Sequence, residues 1–391
     1  MRGRWRRGAA VAGGSLAAAL LLLLLRLLAG EGVGGRPRHG SPPPGVWGPP
    51  VAFVKTHKTG SSTLQNILFR AGERRNLTLA FPRYTFQFAY PQPFSPAFVE
   101  PPPPGATGYD LLLSHLRLEP AALRRLMPPG AVFLTILRDP VRTYRSVFQY
   151  YRGAVPAFQA LGNRSRPLAA FLRRPRRYYD PREPGNGLAR NPMAFDLGLE
   201  AGGEPSGGAW RQELERLNGT FGLVLIAERF EESLLLAREL LGLRLEELAF
   251  VPLNARRPGD EAALSPADVE RLRAWNWLDV RLYRFFRAVL RGRVERYGRR
   301  RMSRDLGRLR ALLRDARTGC LHGGPVGPAE TADELRPWQP DTAVVLGYRL
   351  RPELAGAQRR RCQRMVWPEL QYHAYLYRRQ YGRDMRTPPP G

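Results

Sequence analysis

Residues 51 to 71 constrain the fold of this chain more than any other stretch. Val51, Ala52, Phe53 and Val54 are apolar, Thr59, Gly60, Ser61, Ser62 and Thr63 are small and mostly polar, and Leu64, Ile67, Leu68 and Ala71 are apolar again. The last four stand at i, i+3, i+4 and i+7, one face of a helix. The order is therefore strand, tight loop, helix. A strand with no polar face belongs inside a parallel sheet covered on both sides.

The chemistry of the loop follows from the same residues. Free N–H groups at the start of a helix, flanked by small hydroxyl side chains, make an anion site. The chain has 62 Lys+Arg, of which two are lysine, Lys55 and Lys58, and both fall here. Lysine is a compact charge on a slim stem, whereas arginine is a wide fork. A cation that must reach one oxygen inside a tight loop is therefore lysine. The loop is not a Walker A motif, because Lys58 precedes Gly60 and no glycine opens the turn. Nucleoside triphosphate hydrolysis fits it poorly; a monophosphate or a phosphosulfate fits well.

Strands and helices go on alternating. Strands are expected over 51–56, 109–115, 131–140 and 221–230, and helices over 62–75, 119–127, 141–152 and 231–242. The proline-rich stretch near 81–105 reads as a loop over one end of the sheet. Beyond about 262 the pattern is helical and basic, and from 320 it is irregular. The fold class is α/β, a P-loop-like parallel sheet flanked by helices with right-handed crossovers. Ligands of such sheets sit at the carboxyl ends of the strands, where the Lys58 loop, His115 and Arg138 all lie. Arg138 precedes the Asp139-Pro140 turn, and Ser146 returns beside it on the next helix, a fork and a hydroxyl suited to a second phosphate. Histidine ordinarily titrates near neutral pH, and His115 is the candidate general base. His57, inside the loop, is the weaker candidate, and Lys55 is expected to support the loop.

A formal charge of +28 favours acidic glycans, polyanions or anionic membrane surfaces as neighbours. No zinc-finger spacing and no nucleic-acid motif accompanies it, so no nucleic acid is expected as partner. Arg2, Arg4, Arg6 and Arg7 precede an apolar run from Ala9 to Leu28, and ~20 apolar residues span a bilayer core. The expected organisation is a cytoplasmic tail (1–8), a signal-anchor helix (9–28), a Gly/Pro-rich stem (29–50) and a lumenal domain (51–391), in the type II orientation. A cleaved signal peptide is the alternative. Asn76, Asn163 and Asn218 head glycosylation sequons. Cys320 and Cys362, the two cysteines, form either one disulfide or two free thiols.

The Lys-Thr-His-Lys-Thr loop with Ser61-Ser62-Thr63, followed later by "LRDP" and Ser146, resembles the Golgi carbohydrate sulfotransferases, most closely the galactose 3-O-sulfotransferases. So do "RNPMAFDLG" (190–198), "LVLIAERFEESLLL" (223–236), "LNARR" (253–257), "RAWNWLDVRLY" (273–283), "VLGYRL" (345–350) and "PELQYHAYLY" (368–377). The resemblance spans about residues 51 to 380. It implies the sulfotransferase fold and 3′-phosphoadenosine 5′-phosphosulfate as donor. The phosphosulfate would lie on Lys58, Thr59, Gly60, Ser61, Ser62 and Thr63, and the 3′-phosphate on Arg138 and Ser146. Lys58 would neutralise the leaving oxygen and His115 would deprotonate the acceptor. It further implies a galactose-terminated glycoprotein or glycolipid acceptor, a Golgi-membrane location and no essential metal; a homodimer is one expected form. Two other readings stand beside it: sulfation of a uronic acid or hexosamine hydroxyl, and a non-catalytic basic binder of acidic glycans.

Overall fold

The computed structural model describes residues 47–199, 208–254 and 264–386. The expected cytoplasmic tail, the signal-anchor helix and the stem up to residue 46 lie outside the described residues.

In chain order, β1 (Val51–Val54) leads through the loop to α1 (Ser61–Arg75), then β2 (Leu79–Ala80), β3 (Leu111–Leu112), α2 (Pro120–Leu126), β4 (Val132–Leu137) and α3 (Pro140–Tyr150). Short helices α4 (Pro156–Gln159), α5 (Pro167–Arg173) and α6 (Pro192–Asp196) precede α7 (Ala209–Thr220), β5 (Leu223–Ile226) and α8 (Phe230–Leu241). The remainder is helical: α9 (Pro266–Trp275), α10 (Trp277–Tyr297), α11 (Arg299–Cys320), α12 (Gly356–Val366) and α13 (Glu369–Tyr381). The five strands pair in the order β2-β3-β1-β4-β5, and every pairing is parallel. β1 is central, and all four of its residues are fully buried, as its unbroken apolar run predicts.

The structure corrects four expectations. The strand expected over 109–115 shrinks to Leu111–Leu112, and the one expected over 221–230 stops at Ile226 and turns into a 3₁₀ segment, Ala227–Arg229. β2 lies in a stretch with no strand expected. The region after 320, read as irregular, contains α12 and α13.

Those last helices hold α1 in place. The Glu73 carboxylate of α1 accepts from Arg364 Nε at 2.8 Å and from the Tyr372 hydroxyl at 2.6 Å. Asn66 Nδ2 donates to the Arg364 carbonyl at 2.8 Å. A disulfide between Cys320 and Cys362 ties the end of α11 to α12, so the bonded alternative holds. It closes a loop with a sequence separation of 42, worth about 4 kcal/mol in chain entropy. The double substitution C320S/C362S is expected to lower the unfolding free energy by about that amount. An unchanged denaturant midpoint for oxidised wild type and variant would show that the bridge contributes nothing.

Candidate active site

The loop after β1 is built by backbone conformation and by its own hydroxyls. Lys58 (φ 59°) and Gly60 (φ 85°) are both left-handed, and Gly60 precedes α1 with no side chain capping the helix. The first amides of α1 therefore face outward, as an anion site requires. Thr59 Oγ1 and Ser61 Oγ donate back to the Thr56 carbonyl at 3.2 and 2.8 Å. Thr63 Oγ1 accepts from the Leu253 amide at 3.0 Å. These three hydroxyls shape the loop, while Ser62 Oγ faces the cavity, donating to Glu369 Oε2 and accepting from Asn254 Nδ2, each at 3.0 Å.

The two lysines have different work. Lys55, 1% exposed, makes an ion pair with Glu369 Oε2 at 2.5 Å, and its Nζ lies 3.0 Å from His115 Nε2. Burial pushes the ammonium below its ordinary value, against the pull of Glu369. Burial also pushes the Glu369 carboxyl up, but the Lys55 charge and hydrogen bonds from Lys55 and Ser62 outweigh it and hold the group below its usual range. Lys58 instead points into the cavity, its Nζ 3.6 Å above the Tyr150 ring. Arg138 Nη1 donates to the Lys58 carbonyl at 3.2 Å.

Two imidazoles stack beside this loop. The His57 and His115 rings are 4.0 Å apart and within 14° of parallel. His115 Nδ1 lies 2.8 Å from the Lys55 carbonyl, which can only accept, so that nitrogen carries the proton and Nε2 the lone pair. Burial, reinforced by the charges of His57 and Lys55, holds His115 well below the ordinary histidine value. His57 Nδ1 lies 2.9 Å from Asp196 Oδ1, and its backbone amide donates to Asp196 Oδ2 at 2.7 Å. Tyr90 completes that carboxylate's shell, donating its hydroxyl at 2.7 Å.

Asp196 is held by two helix ends that cap each other. Asn191 Oδ1 accepts from the Leu278 and Asp279 amides at the start of α10. Asp279 in return accepts from the Met193 and Ala194 amides at the start of α6. Each supplies the acceptor that the other helix's orphan N–H groups need. Gly198 (φ 74°) closes the turn after α6, and a Cβ there would stand 2.2 Å from the Leu118 carbonyl oxygen. Burial pushes the Asp279 carboxyl up to about 7.

Lys55, Lys58, His57, His115, Arg138 and Ser146 line one cavity of about 1010 Å³. A second, of about 600 Å³, adjoins it across Gly60, Thr63 and Pro252. The structure thus brings the expected Lys58 loop, His115, Arg138 and Ser146 to one rim. It gives Lys55 a larger part than support of the loop, and gives His57 the carboxylate partner. Glu369, Asp196, Tyr90 and Tyr150 were not legible as site residues, and the stretches around Asp196 and Glu369 stood out only through resemblance. Among the described residues no group of three or more His, Cys, Asp or Glu could hold a metal ion. Asn76 and Asn163 are exposed, whereas Asn218 is half-buried on α7.

A model of the galactose-3-O-sulfotransferase family matches residues 27–380. The chain is 40% identical to the galactosylceramide sulfotransferase of Mus musculus, over 82% of this chain and 76% of that one. It is 42% identical to galactose-3-O-sulfotransferase 3 of Bos taurus (87% and 81% covered) and 40% identical to galactose-3-O-sulfotransferase 2 of Sus scrofa (85% of each). A crystal structure of a sulfotransferase from Alicyclobacillus acidocaldarius is 16% identical, covers 61% of this chain and 95% of that one, and has a TM-score of 0.34.

The Asp279 shift sets a direction for stability. Between its unfolded value of 3.8 and its folded value of about 7, the native state holds a proton that the unfolded chain releases. This carboxyl's contribution to stability therefore falls as pH rises through that window. Urea midpoints of wild type and D279N from pH 4 to 7 should diverge, the wild type losing more with rising pH. Parallel curves would place the Asp279 pKa near its unfolded value.

Proposed function

The chain belongs to the galactose-3-O-sulfotransferase family, and from that premise we propose that it transfers a sulfuryl group from 3′-phosphoadenosine 5′-phosphosulfate to the 3-hydroxyl of a non-reducing terminal β-galactose on a glycoprotein or glycolipid. The observation that carries the reading is the convergence of Lys58, Arg138, Ser146 and the stacked imidazoles on one cavity at the carboxyl end of the central strands.

The residues present fit such a donor. The outward amides of α1, with Lys58, suit the phosphosulfate; Arg138 and Ser146 suit the 3′-phosphate. The neighbouring Glu369 carboxylate would repel an anion, but Lys55 and Ser62 already engage it. Sulfuryl transfer, like phosphoryl transfer, depends mostly on positioning and charge stabilisation. His115 Nε2, exchanging its contact with Lys55 Nζ for one with the acceptor, takes the proton from the galactose 3-hydroxyl as its oxygen–sulfur bond forms. Lys58 meets the negative charge that gathers on the phosphate oxygen as the sulfur–oxygen bond to it breaks. His57, oriented by Asp196, packs flat on His115 and keeps its plane; its own Nε2 makes it the second candidate base. The setting we propose is the Golgi lumen, the chain anchored by residues 9–28.

K58A is expected to lower kcat about a hundredfold or more, and H115A to cost a further factor of similar size or larger. Radiolabelled sulfate transfer to a methyl β-galactoside would read both. Wild-type rates in either variant would remove that residue from the chemistry. Because His115 is held below its ordinary value, the base is already neutral in mildly acidic solution. The acidic limb of kcat/KM should therefore lie below pH 6.5; a limb above it would point to a different group.

A further inference from the structure

Trp338 is the most exposed large hydrophobic side chain among the described residues, at 56%, against 43% for Val344 and 40% for Tyr84. The other described tryptophans are buried or half-buried. A scattered surface aromatic needs no explanation, but Trp338 lines the mouth of the cavity that holds Lys58 and both imidazoles. Its ring lies 5.9 Å from that of Tyr150, and the Lys58 ammonium sits over the Tyr150 ring at 3.6 Å. One aromatic ring therefore separates Trp338 from the lysine.

The segment that carries it is held on both sides. The Arg336 carbonyl accepts from Gln371 Nε2 at 2.7 Å, two residues beyond Glu369. Thr342 Oγ1 donates to the Gln149 carbonyl at the end of α3, also at 2.7 Å. Gln339 exchanges two hydrogen bonds of 2.9 Å with the backbone of Val345. A rigid backbone that leaves an indole in water gains nothing in stability from it. It offers a flat apolar surface whose ordering cost is already met, which is what a binding platform requires.

We infer that Trp338 is the platform on which the acceptor galactose stacks. The inference rests on the proposed acceptor class and deepens it. β-Galactose has an axial 4-hydroxyl on one face, so its C3–H, C4–H and C5–H groups form an apolar patch on the other. In glucose the equatorial 4-hydroxyl intrudes on that patch. An aromatic face stacked on it favours galactose and leaves the equatorial 3-hydroxyl at the ring edge, free to turn inward toward Lys58 and His115. Trp338 is thus a specificity-determining residue for the acceptor and takes no part in donor binding.

The test compares wild type with W338L, which keeps apolar bulk without a flat face, and with W338F, which keeps the face. W338L should raise KM for a methyl β-galactoside about tenfold with kcat changed far less, and W338F should recover most of it. The affinity of all three for adenosine 3′,5′-bisphosphate should be equal. An unchanged acceptor KM in W338L would overturn the inference. So would a loss of bisphosphate affinity in W338L, which would place the indole on the donor. A readout independent of turnover separates this from the functional reading. In saturation-transfer NMR on the bisphosphate-loaded protein, wild type should mark H3, H4 and H5 of the galactoside most strongly, and W338L should lose that pattern. Sulfate transfer by wild type without that pattern overturns the platform alone, whereas the pattern without any transfer overturns the reaction and leaves the platform.

Discussion

The site depends on the buried ion pair between Lys55 and Glu369. It joins the last residue before the loop's polar turn to the first turn of α13, across a sequence separation of 314. Taking two charges out of water is expensive, and removing one partner of such a pair leaves the other uncompensated, at about 3–5 kcal/mol. The pair is satisfied because Ser62 shares the carboxylate and His115 lies against the ammonium. Its consequence for binding is a division of labour. Lys55 cancels the carboxylate that Ser62 meets at the start of α1, so the positive field of Lys58, Arg138 and the start of α1 remains for a phosphosulfate.

The rest of the framework keeps the two imidazoles flat against each other. α6 and α10 cap one another through Asn191 and Asp279, and that lock sets Asp196, which sets His57. α12 and α13 grip α1 through Glu73, and that grip brings Glu369 to the loop. The stretches 190–198, 273–283 and 368–377, conspicuous in the sequence without an evident local reason, are the two sides of the lock and the helix that carries Glu369. None of them touches the sheet's hydrogen-bond ladder; they act by supplying acceptors to helix ends and a counter-ion to Lys55.

What could be read in advance is what local pattern encodes. β1, its loop and α1 are written in one continuous stretch, with a buried strand and a helical period side by side. His115 and Arg138 were legible because each follows an apolar run that ends at the sheet's carboxyl edge. Asp196 and Glu369 were not, because their partners lie 139 and 314 residues away and no periodicity records a pairing across that distance. β2, at two residues, is too short to show alternation. α12 was masked by its arginines, of which Arg359, Arg360 and Arg361 are exposed while Cys362, Met365 and Val366 face inward. The two lysines were rightly singled out, but only geometry separates the one that balances Glu369 from the one that faces the cavity.

The division of labour between the lysines is tested most directly by calorimetric affinity for adenosine 3′,5′-bisphosphate in two variants. K55M/E369Q removes both buried charges together and leaves Lys58 in place; replacing a whole buried pair is often nearly neutral for stability. K58M removes the cavity cation alone. The account predicts near wild-type affinity for K55M/E369Q and a loss of about tenfold or more for K58M, the worth of one charge-assisted contact. Equal losses in the two variants, or a greater loss in the pair variant, would contradict it and assign the donor's phosphate to Lys55.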